Sequence, residues 1–175
     1  ALSQNTQSNS QSSRNQASTA SFPLASPSLF LQQNIQELVN SYALDGSFSI
    51  DGGCSATKVG SCALVGFHHN MCVVQSCRID GKTTNNFAEL KALLTAFRLA
   101  IVNRLKRILI VTDSMLIAKF LRGLLNIIQK HLVAIAKDIS DLFPEFDAIY
   151  VSRIPSHKDV SIENDVADAL CTWNI

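Results

Sequence analysis

The sequence lacks both a large excess of charge and any long uninterrupted apolar run. Its 15 Lys and Arg residues nearly balance its 14 Asp and Glu residues, so the formal net charge is +1. The bulk composition therefore does not demand a nucleic-acid partner, although a local basic face is compatible with it. Charged residues interrupt every apolar run well before the roughly 20 residues that a membrane helix needs. We expect a soluble protein with no membrane partner.

Cysteine pairs at metal-binding spacing are also missing. The five cysteines are an odd number and form no Cys-x-x-Cys motif: Cys54, Cys62, Cys72, Cys77 and Cys171. This pattern argues against a disulfide framework and against a zinc site. We therefore predict an intracellular, reducing compartment, with the cytoplasm, the nucleus and an organelle all left open.

The first 45 residues lack the apolar content of a folded domain. Residues 1–20 are almost all Ser, Gln, Asn, Ala and Thr, with a single charge at Arg14. Such a segment cannot bury enough apolar surface to offset its ordering entropy, so we predict a disordered polar linker. Residues 21–45 add two prolines and a short apolar pattern that is compatible with one short amphipathic helix.

Residues 46–175 have the patterns of a folded α/β domain. Hydrophobic residues make up 47% of the chain, which suffices for a sizeable core. The run Arg107–Thr112 is apolar without alternation, as is typical of a strand buried on both faces. The predicted elements are strands at 47–50, 61–67, 71–79, 107–112 and 147–154, and helices opening at 85–89 and spanning 115–122, 124–142 and 161–171. This order predicts a mixed sheet with helices on its faces.

Four carboxylates occupy unusual positions in this pattern. Asp51 ends or interrupts the first strand before two glycines, and Asp113 follows the buried strand at the edge where open α/β sheets place their sites. Glu89 lies near the start of a helix, beside its apolar stripe. Taken singly, Asp113 could simply cap a helix, and Glu89 could interact favourably with the positive end of a helix dipole. The periodicity leaves open whether Asp168, on the last helix, lies at the edge of the buried stripe or points away.

Taken together, these segments resemble a known family. Four segments are similar, in order, to the four motifs of type 1 ribonuclease H: Ser49-Ile-Asp-Gly-Gly-Cys54, Thr84-Asn-Asn-Phe-Ala-Glu-Leu90, Val111-Thr-Asp-Ser114 and Ile154-Pro-Ser-His…Asn164-Asp-Val-Ala-Asp-Ala-Leu170. The second and fourth segments are the specific ones. The predicted long helix at 124–142 resembles the ribonuclease H domains of plant proteins and retroelement reverse transcriptases. The resemblance covers roughly residues 46–172.

The resemblance implies a ribonuclease H-like fold, a five-stranded mixed sheet of order 3-2-1-4-5 with helices on both faces. Its first and fourth strands would be parallel neighbours, which would set Asp51 beside Asp113. The first and last helices would bring Glu89 and Asp168 against them. Clustered carboxylates repel one another unless a cation is present, and oxygen ligands suit Mg²⁺ or Mn²⁺ rather than zinc.

The same resemblance implies the reaction and its substrate. Two Mg²⁺ ions about 4 Å apart, with Mn²⁺ as a substitute, can activate water for an in-line phosphoryl displacement. The substrate implied is an RNA–DNA hybrid, whose RNA strand is hydrolysed to leave 5′-phosphate and 3′-hydroxyl ends. Asp51 would bridge both ions, Glu89 and Asp113 would hold one, and Asp168 would complete the second site. The resemblance also makes His157 a catalytic residue that moves protons or helps product leave, against the alternative of an ordinary loop histidine.

Substrate contacts are predicted from the same motifs. The residues expected to touch the hybrid are Gly52, Gly53, Cys54, Thr84, Asn85, Asn86 and Asn164. Asn85 and Asn86, together with the backbone of residues 52–54, would touch the minor groove, where 2′-hydroxyls mark the RNA strand. Arg104, Lys106 and Arg107 form the densest basic cluster, which either lines the nucleic acid or ends a helix in solvent.

Three functions are compatible with the sequence. The first is an active ribonuclease H, free or as the C-terminal domain of a retroelement polyprotein. The second is a catalytically silent ribonuclease H-fold module that binds nucleic acid or acts as a scaffold in a larger ribonucleoprotein, which the near-neutral charge favours. The third is a DNA nuclease or integrase on the same fold. The oligomeric state is not predicted.

Overall fold

The computed structural model describes residues 18–21, 42–155 and 162–173. The elements are β1 (Ser18–Ser21), β2 (Gly46–Cys54), β3 (Gly60–His68), β4 (Met71–Ile79), α1 (Asn85–Val102), β5 (Arg107–Thr112), α2 (Met115–Leu121), α3 (Lys130–Leu142), a 3-10 turn (Phe143–Glu145), β6 (Ala148–Arg153) and α4 (Ile162–Trp173). His157 and residues 1–17 and 22–41 lie outside the described residues, so the expectations for them stay predictions. None of the described helices is both long and apolar enough to cross a membrane.

The strands form one mixed sheet in the order β1-β6-β5-β2-β3-β4. The pairs β2–β3 and β3–β4 are antiparallel, whereas β2–β5, β5–β6 and β1–β6 are parallel. Counted from β2, the five strands of the domain have the order 3-2-1-4-5, which confirms the predicted fold. Strand β5 lies in the middle, and all its residues from Ile108 onward are buried, as its unbroken apolar run predicts.

Strand β1 adds a sixth member to the sheet. It pairs in parallel with β6, from Ser18 opposite Ala148 to Ser21 opposite Val151. These four residues fall in the segment predicted to be disordered and instead form an edge strand. Backbone hydrogen bonds to an open sheet edge need no apolar side chain, so hydropathy alone does not reveal such a strand.

Helices cover both faces of the sheet. Phe48 and Ile50 of β2 lie in the main core cluster, together with buried residues of α1, α2 and α3. Ala63 and Val65 of β3 face the other way and pack against Ala167 and Cys171 of α4. Because side chains alternate along a strand, the odd-numbered residues of β2, which include Asp51, face the α4 side.

The predicted helix at 124–142 is wrong in its first six residues. Helix α2 ends at Leu121, and Gly123 follows with φ +70, a left-handed conformation that turns the chain. Regular helix resumes only at Lys130. Four of residues 124–129 are apolar, yet Leu124 is 72% exposed, Ile128 is 80% exposed and none of the six is buried, so no buried face holds this stretch in a helix.

Candidate metal centre

The strand register brings Asp51 and Asp113 together. Strands β2 and β5 pair in parallel with Ser49 opposite Val111. Asp51 and Asp113 each lie two residues further along, so they share one level and one face of the sheet. The adjacency expected from the strand order is therefore present.

Glu89 reaches the same place because helix α1 sits directly on Gly52. A Cβ atom at Gly52 would lie 2.2 Å from the carbonyl carbon of Ala88 and 2.2 Å from the nitrogen of Glu89. Only glycine allows the first turns of α1 to approach β2 so closely. The helix start is fixed by Thr84, whose side-chain oxygen accepts a hydrogen bond of 3.3 Å from the Phe87 N–H.

Asp51, Glu89 and Asp113 form a compact group, here called the carboxylate trio. One oxygen from each lies within 4.8 Å of the others. Asp51 is 8% exposed and Glu89 is 9% exposed. The Oε2 atom of Glu89 is buried and has no hydrogen-bond partner in the described part of the chain. Three carboxylates at this spacing, one of them with a buried and unsatisfied oxygen, fit a divalent cation that prefers oxygen ligands.

The electrostatics of the trio lead to the same conclusion. Burial, followed by repulsion from Asp113 and Asp168, raises the pKa of Asp51 to about 6, although contacts with Cys171 and the Gly52 N–H oppose this. Burial and repulsion from Asp51 and Asp113 raise the pKa of Glu89 well above its ordinary value. Three ionised carboxylates are thus mutually unfavourable in the metal-free protein, and a bound cation would relieve that repulsion.

Asp168 lies close to the trio without belonging to it. It is half-buried on α4, and its charge contributes to the raised pKa of Asp51. Its neighbours Ala167 and Cys171 are buried, at 0% and 1% exposure, whereas Val166 is 39% exposed. The buried stripe of α4 therefore includes Ala167, and Asp168 lies at the edge of that stripe, which resolves the alternative that the sequence left open.

The predicted substrate contacts fall into two groups. Gly53 and Cys54 are half-buried at the end of β2, and Asn85 and Asn86 are exposed at the start of α1. Gly52 is covered by α1, as described above. Asn164, in contrast, is 6% exposed, so it occupies an interior position rather than an open surface.

Two lysines and a histidine near Thr84, Lys58, Lys82 and His131, were not predicted as site residues from the sequence. A groove of about 400 Å³ is lined by Lys58, Lys82, Thr83, Thr84, Phe87 and His131. The Thr84 Oγ1 atom lies 3.5 Å from the His131 Nε2 atom. An adjoining groove of about 430 Å³ runs past Lys58, Asn85 and Asn86. Lys82 had a weak signal, since it begins the Thr-Thr-Asn-Asn stretch, but nothing in the linear sequence connects His131 to Thr84.

The basic cluster is far from the trio along β5. Lys106 and Arg107 lie at the start of this strand, whereas Asp113 follows its end. The Lys106 Nζ atom donates to the Glu145 carbonyl at 2.7 Å, and an Arg107 N–H donates to the Tyr150 hydroxyl at 2.8 Å. These contacts give both side chains a structural role at the opposite end of the strand.

Comparison with known proteins gives one family and several solved structures. The family model described as reverse transcriptase-like matches residues 49–174. RNase H1 from the halophilic archaeon Halobacterium salinarum NRC-1 is similar, with TM-score 0.63 and 24% identity, over 74% of this chain and 96% of that one. The N-terminal RNase H domain of a Mycobacterium tuberculosis protein gives TM-score 0.64 and 19% identity, over 75% and 93%. LC11-RNase H1, solved in complex with an RNA/DNA hybrid, gives 0.63 and 22%, over 74% and 96%. No curated protein matches the sequence.

Proposed function

Because the chain belongs to the reverse transcriptase-like family and has a ribonuclease H-like fold, we propose that it is a ribonuclease H. In this proposal it is an endonuclease that hydrolyses the RNA strand of RNA–DNA hybrids, using two Mg²⁺ ions or Mn²⁺ in their place. The observation that carries the proposal is the carboxylate trio, whose oxygens lie within 4.8 Å of one another. A scaffold has no use for such a concentration of buried negative charge.

Each acidic residue has a role in the proposal. Asp51, whose oxygen lies within 4.8 Å of those of Glu89 and Asp113 and whose pKa responds to the charge of Asp168, would contribute to both ion sites. Glu89 and Asp113 would complete one site, and Asp168 would complete the other. Divalent ions bound there would activate a water molecule and stabilise the leaving oxygen of the phosphodiester. The ligands are all carboxylates, which favours magnesium or manganese over zinc.

The neighbouring grooves suit a nucleic acid. Asn85 and Asn86 are exposed in the first turn of α1, ahead of Glu89, and present amide groups that can hydrogen-bond to 2′-hydroxyls and base edges. Lys58, Lys82 and His131 line the same region and would contact backbone phosphates. The complex of LC11-RNase H1 with an RNA/DNA hybrid supports this substrate class for the present fold.

The cellular setting is part of the proposal. The described structure leaves all five cysteines free, which supports a reducing intracellular compartment. The reverse transcriptase-like family membership supports a domain that works within a larger polyprotein. The alternative, a silent nucleic-acid-binding module of a ribonucleoprotein, draws support from the net charge of +1, because phosphate contacts dominate affinity for nucleic acid.

One experiment distinguishes the two functions. The full chain is incubated with a hybrid labelled on its RNA strand, in Mg²⁺ and separately in Mn²⁺. We expect metal-dependent cleavage that leaves 5′-phosphates and disappears in Asp113→Asn. The matched control is Asp138→Asn, an exposed carboxylate on α3, which should cleave like the unmodified chain. If the hybrid binds but stays intact in both metals, the proposed ribonuclease activity is excluded and the silent nucleic-acid-binding module remains.

A further inference from the structure

Two thiols face each other across the outer hairpin of the sheet. Cys62 of β3 is directly opposite Cys77 of β4 in the antiparallel register. Their Sγ atoms are 2.9 Å apart, and both cysteines are free. Directly opposed residues in an antiparallel pair have Cα atoms about 4.5 or 5.5 Å apart, and either spacing lies within the range that a disulfide accepts.

We propose that Cys62 and Cys77 are a redox modification site, which closes to a reversible cross-strand disulfide when the protein meets a small disulfide oxidant such as oxidised glutathione. The inference rests on the geometry of the hairpin and does not depend on the proposed nuclease activity. The required motion is short, because the sulfurs need approach only from 2.9 Å to the roughly 2.05 Å of a covalent bond.

Exposure determines which thiol reacts first. Cys77 is half-buried on the edge strand, where it packs against the rim of the main core. Cys62 is 2% exposed, and burial beside Cys77 raises its pKa to about 12. Cys77 therefore supplies the thiolate that first meets the oxidant, and Cys62 resolves the intermediate.

The chemistry is two successive thiol–disulfide exchanges. The Cys77 thiolate attacks one sulfur of oxidised glutathione, which forms a mixed disulfide and expels a glutathione thiolate. The Cys62 thiol then loses its proton and attacks the Cys77 sulfur, which expels the second glutathione thiolate. Both protons end on the released glutathione thiols. Two protein thiols are oxidised to one disulfide, and one glutathione disulfide is reduced.

The disulfide would link the edge strand β4 covalently to β3, at the level of the carboxylate trio. Cys62 pairs with Cys77 on one side and with Gly52 on the other, and Gly52 supports the first turns of α1. Strand β4 is otherwise the open edge of the sheet, with Met71 and Val74 exposed at 53% and 52%. Oxidation should therefore suppress the opening of β4 and raise the melting temperature by roughly 5–10 °C.

The test is performed on the unmodified full chain, so it does not depend on any variant folding. The reduced protein is treated with oxidised glutathione, blocked with N-ethylmaleimide, digested and analysed by mass spectrometry, with thermal melting in parallel. Before alkylation we expect an intact mass lower by two hydrogen atoms. After alkylation and digestion we expect a cross-linked peptide pair containing Cys62 and Cys77, and the oxidised protein should have a higher melting temperature and revert fully with dithiothreitol.

Two variants provide the controls. Cys72→Ser removes the exposed thiol on the same strand and should leave the cross-link unchanged. Cys77→Ser should abolish the cross-link and leave Cys62 open to alkylation after denaturation. The proposal is overturned if Cys62 remains a free thiol in the oxidised unmodified chain, if Cys77 stops at the glutathione adduct, or if the cross-link instead passes through Cys72.

Discussion

Gly52→Ala tests how the helix positions Glu89. The added Cβ would lie 2.2 Å from backbone atoms of Ala88 and Glu89, whereas ordinary contact begins at 3.4 Å. Helix α1 and strand β2 must therefore separate by about 1.2 Å to restore ordinary contact, because backbone atoms cannot rotate away as a flexible side chain can. The Glu89 carboxylate moves with the helix and leaves its position beside Asp51.

Two effects of this substitution can be measured. Overpacking of this kind typically costs about 1–3 kcal/mol, which lowers the melting temperature of a chain of this size by roughly 3–10 °C. A displacement of about 1 Å in a site that positions reacting groups costs on the order of 10²-fold in rate. We therefore expect a folded protein with weaker Mn²⁺ binding, measured by calorimetry, and hybrid cleavage reduced by about two orders of magnitude.

The control for this prediction is Gly123→Ala. Gly123 has φ +70, and among the described residues no neighbouring atom lies within 4 Å of the place that a Cβ would take, so alanine there adds backbone strain without crowding. It should lower stability by about 1 kcal/mol and leave metal binding and cleavage unchanged. If Gly52→Ala melted like the unmodified chain and bound Mn²⁺ equally well, the close approach of α1 to β2 would be the wrong explanation for the position of Glu89.

Three further predictions concern charge. Folding raises the pKa of Asp51 from 3.8 to about 6, so the folded state holds this proton more tightly than the unfolded state does. The free energy of unfolding of the metal-free protein should therefore fall by up to about 3 kcal/mol as the pH rises from 4 to 6, as measured by urea titration. In Asp51→Asn this pH dependence should be weaker, the metal-free protein should be more stable at pH 7, and hybrid cleavage should be lost. A stronger pH dependence in the variant would contradict a raised pKa at Asp51. Lys82→Ala should weaken hybrid binding and reduce the salt slope by about 1, whereas an unchanged slope would remove Lys82 from the phosphate contacts. The Asp45 Oδ2 atom accepts hydrogen bonds from the backbone N–H groups of Lys106 and Arg107, at 2.7 and 2.8 Å. Asp45→Ala should therefore lower the free energy of unfolding by about 1 kcal/mol, measured by thermal melting. Asp45→Asn should lower it less, because the amide oxygen still accepts a hydrogen bond.

The sequence predicts elements well where one local pattern determines them. The apolar run at Arg107–Thr112 predicts a buried strand, and the observed strand has the same bounds, since a short unbroken apolar run admits few alternatives. The adjacency of Asp51 and Asp113 follows from the strand order implied by the motifs. It does not follow from either residue alone, because an aspartate after a strand is equally a helix cap.

Features that depend on tertiary contacts escape prediction. The stretch 124–129 has the apolar composition of a helix, but the fold leaves Leu124 and Ile128 exposed there, and the stretch is not helical. His131 meets Thr84 across 47 positions of sequence, and only the packing of α3 against α1 brings them together. Strand β1 joins the sheet through backbone pairing, which the pattern of its side chains does not predict.

The choice between enzyme and silent module depends on what the carboxylate trio does to stability. Burial and mutual repulsion raise the pKa of both Asp51 and Glu89, so the ionised trio opposes folding in the absence of a cation. A module that only binds nucleic acid would gain stability by replacing any of these residues with a neutral one. In this fold, Gly52 instead allows helix α1 to pack closely enough to bring Glu89 against Asp51. The Glu89 Oε2 atom is left without a hydrogen-bond partner among the described residues. An arrangement that is unfavourable for the metal-free protein is therefore best explained by ligation of a cation, and the metal-dependent cleavage assay tests that explanation directly.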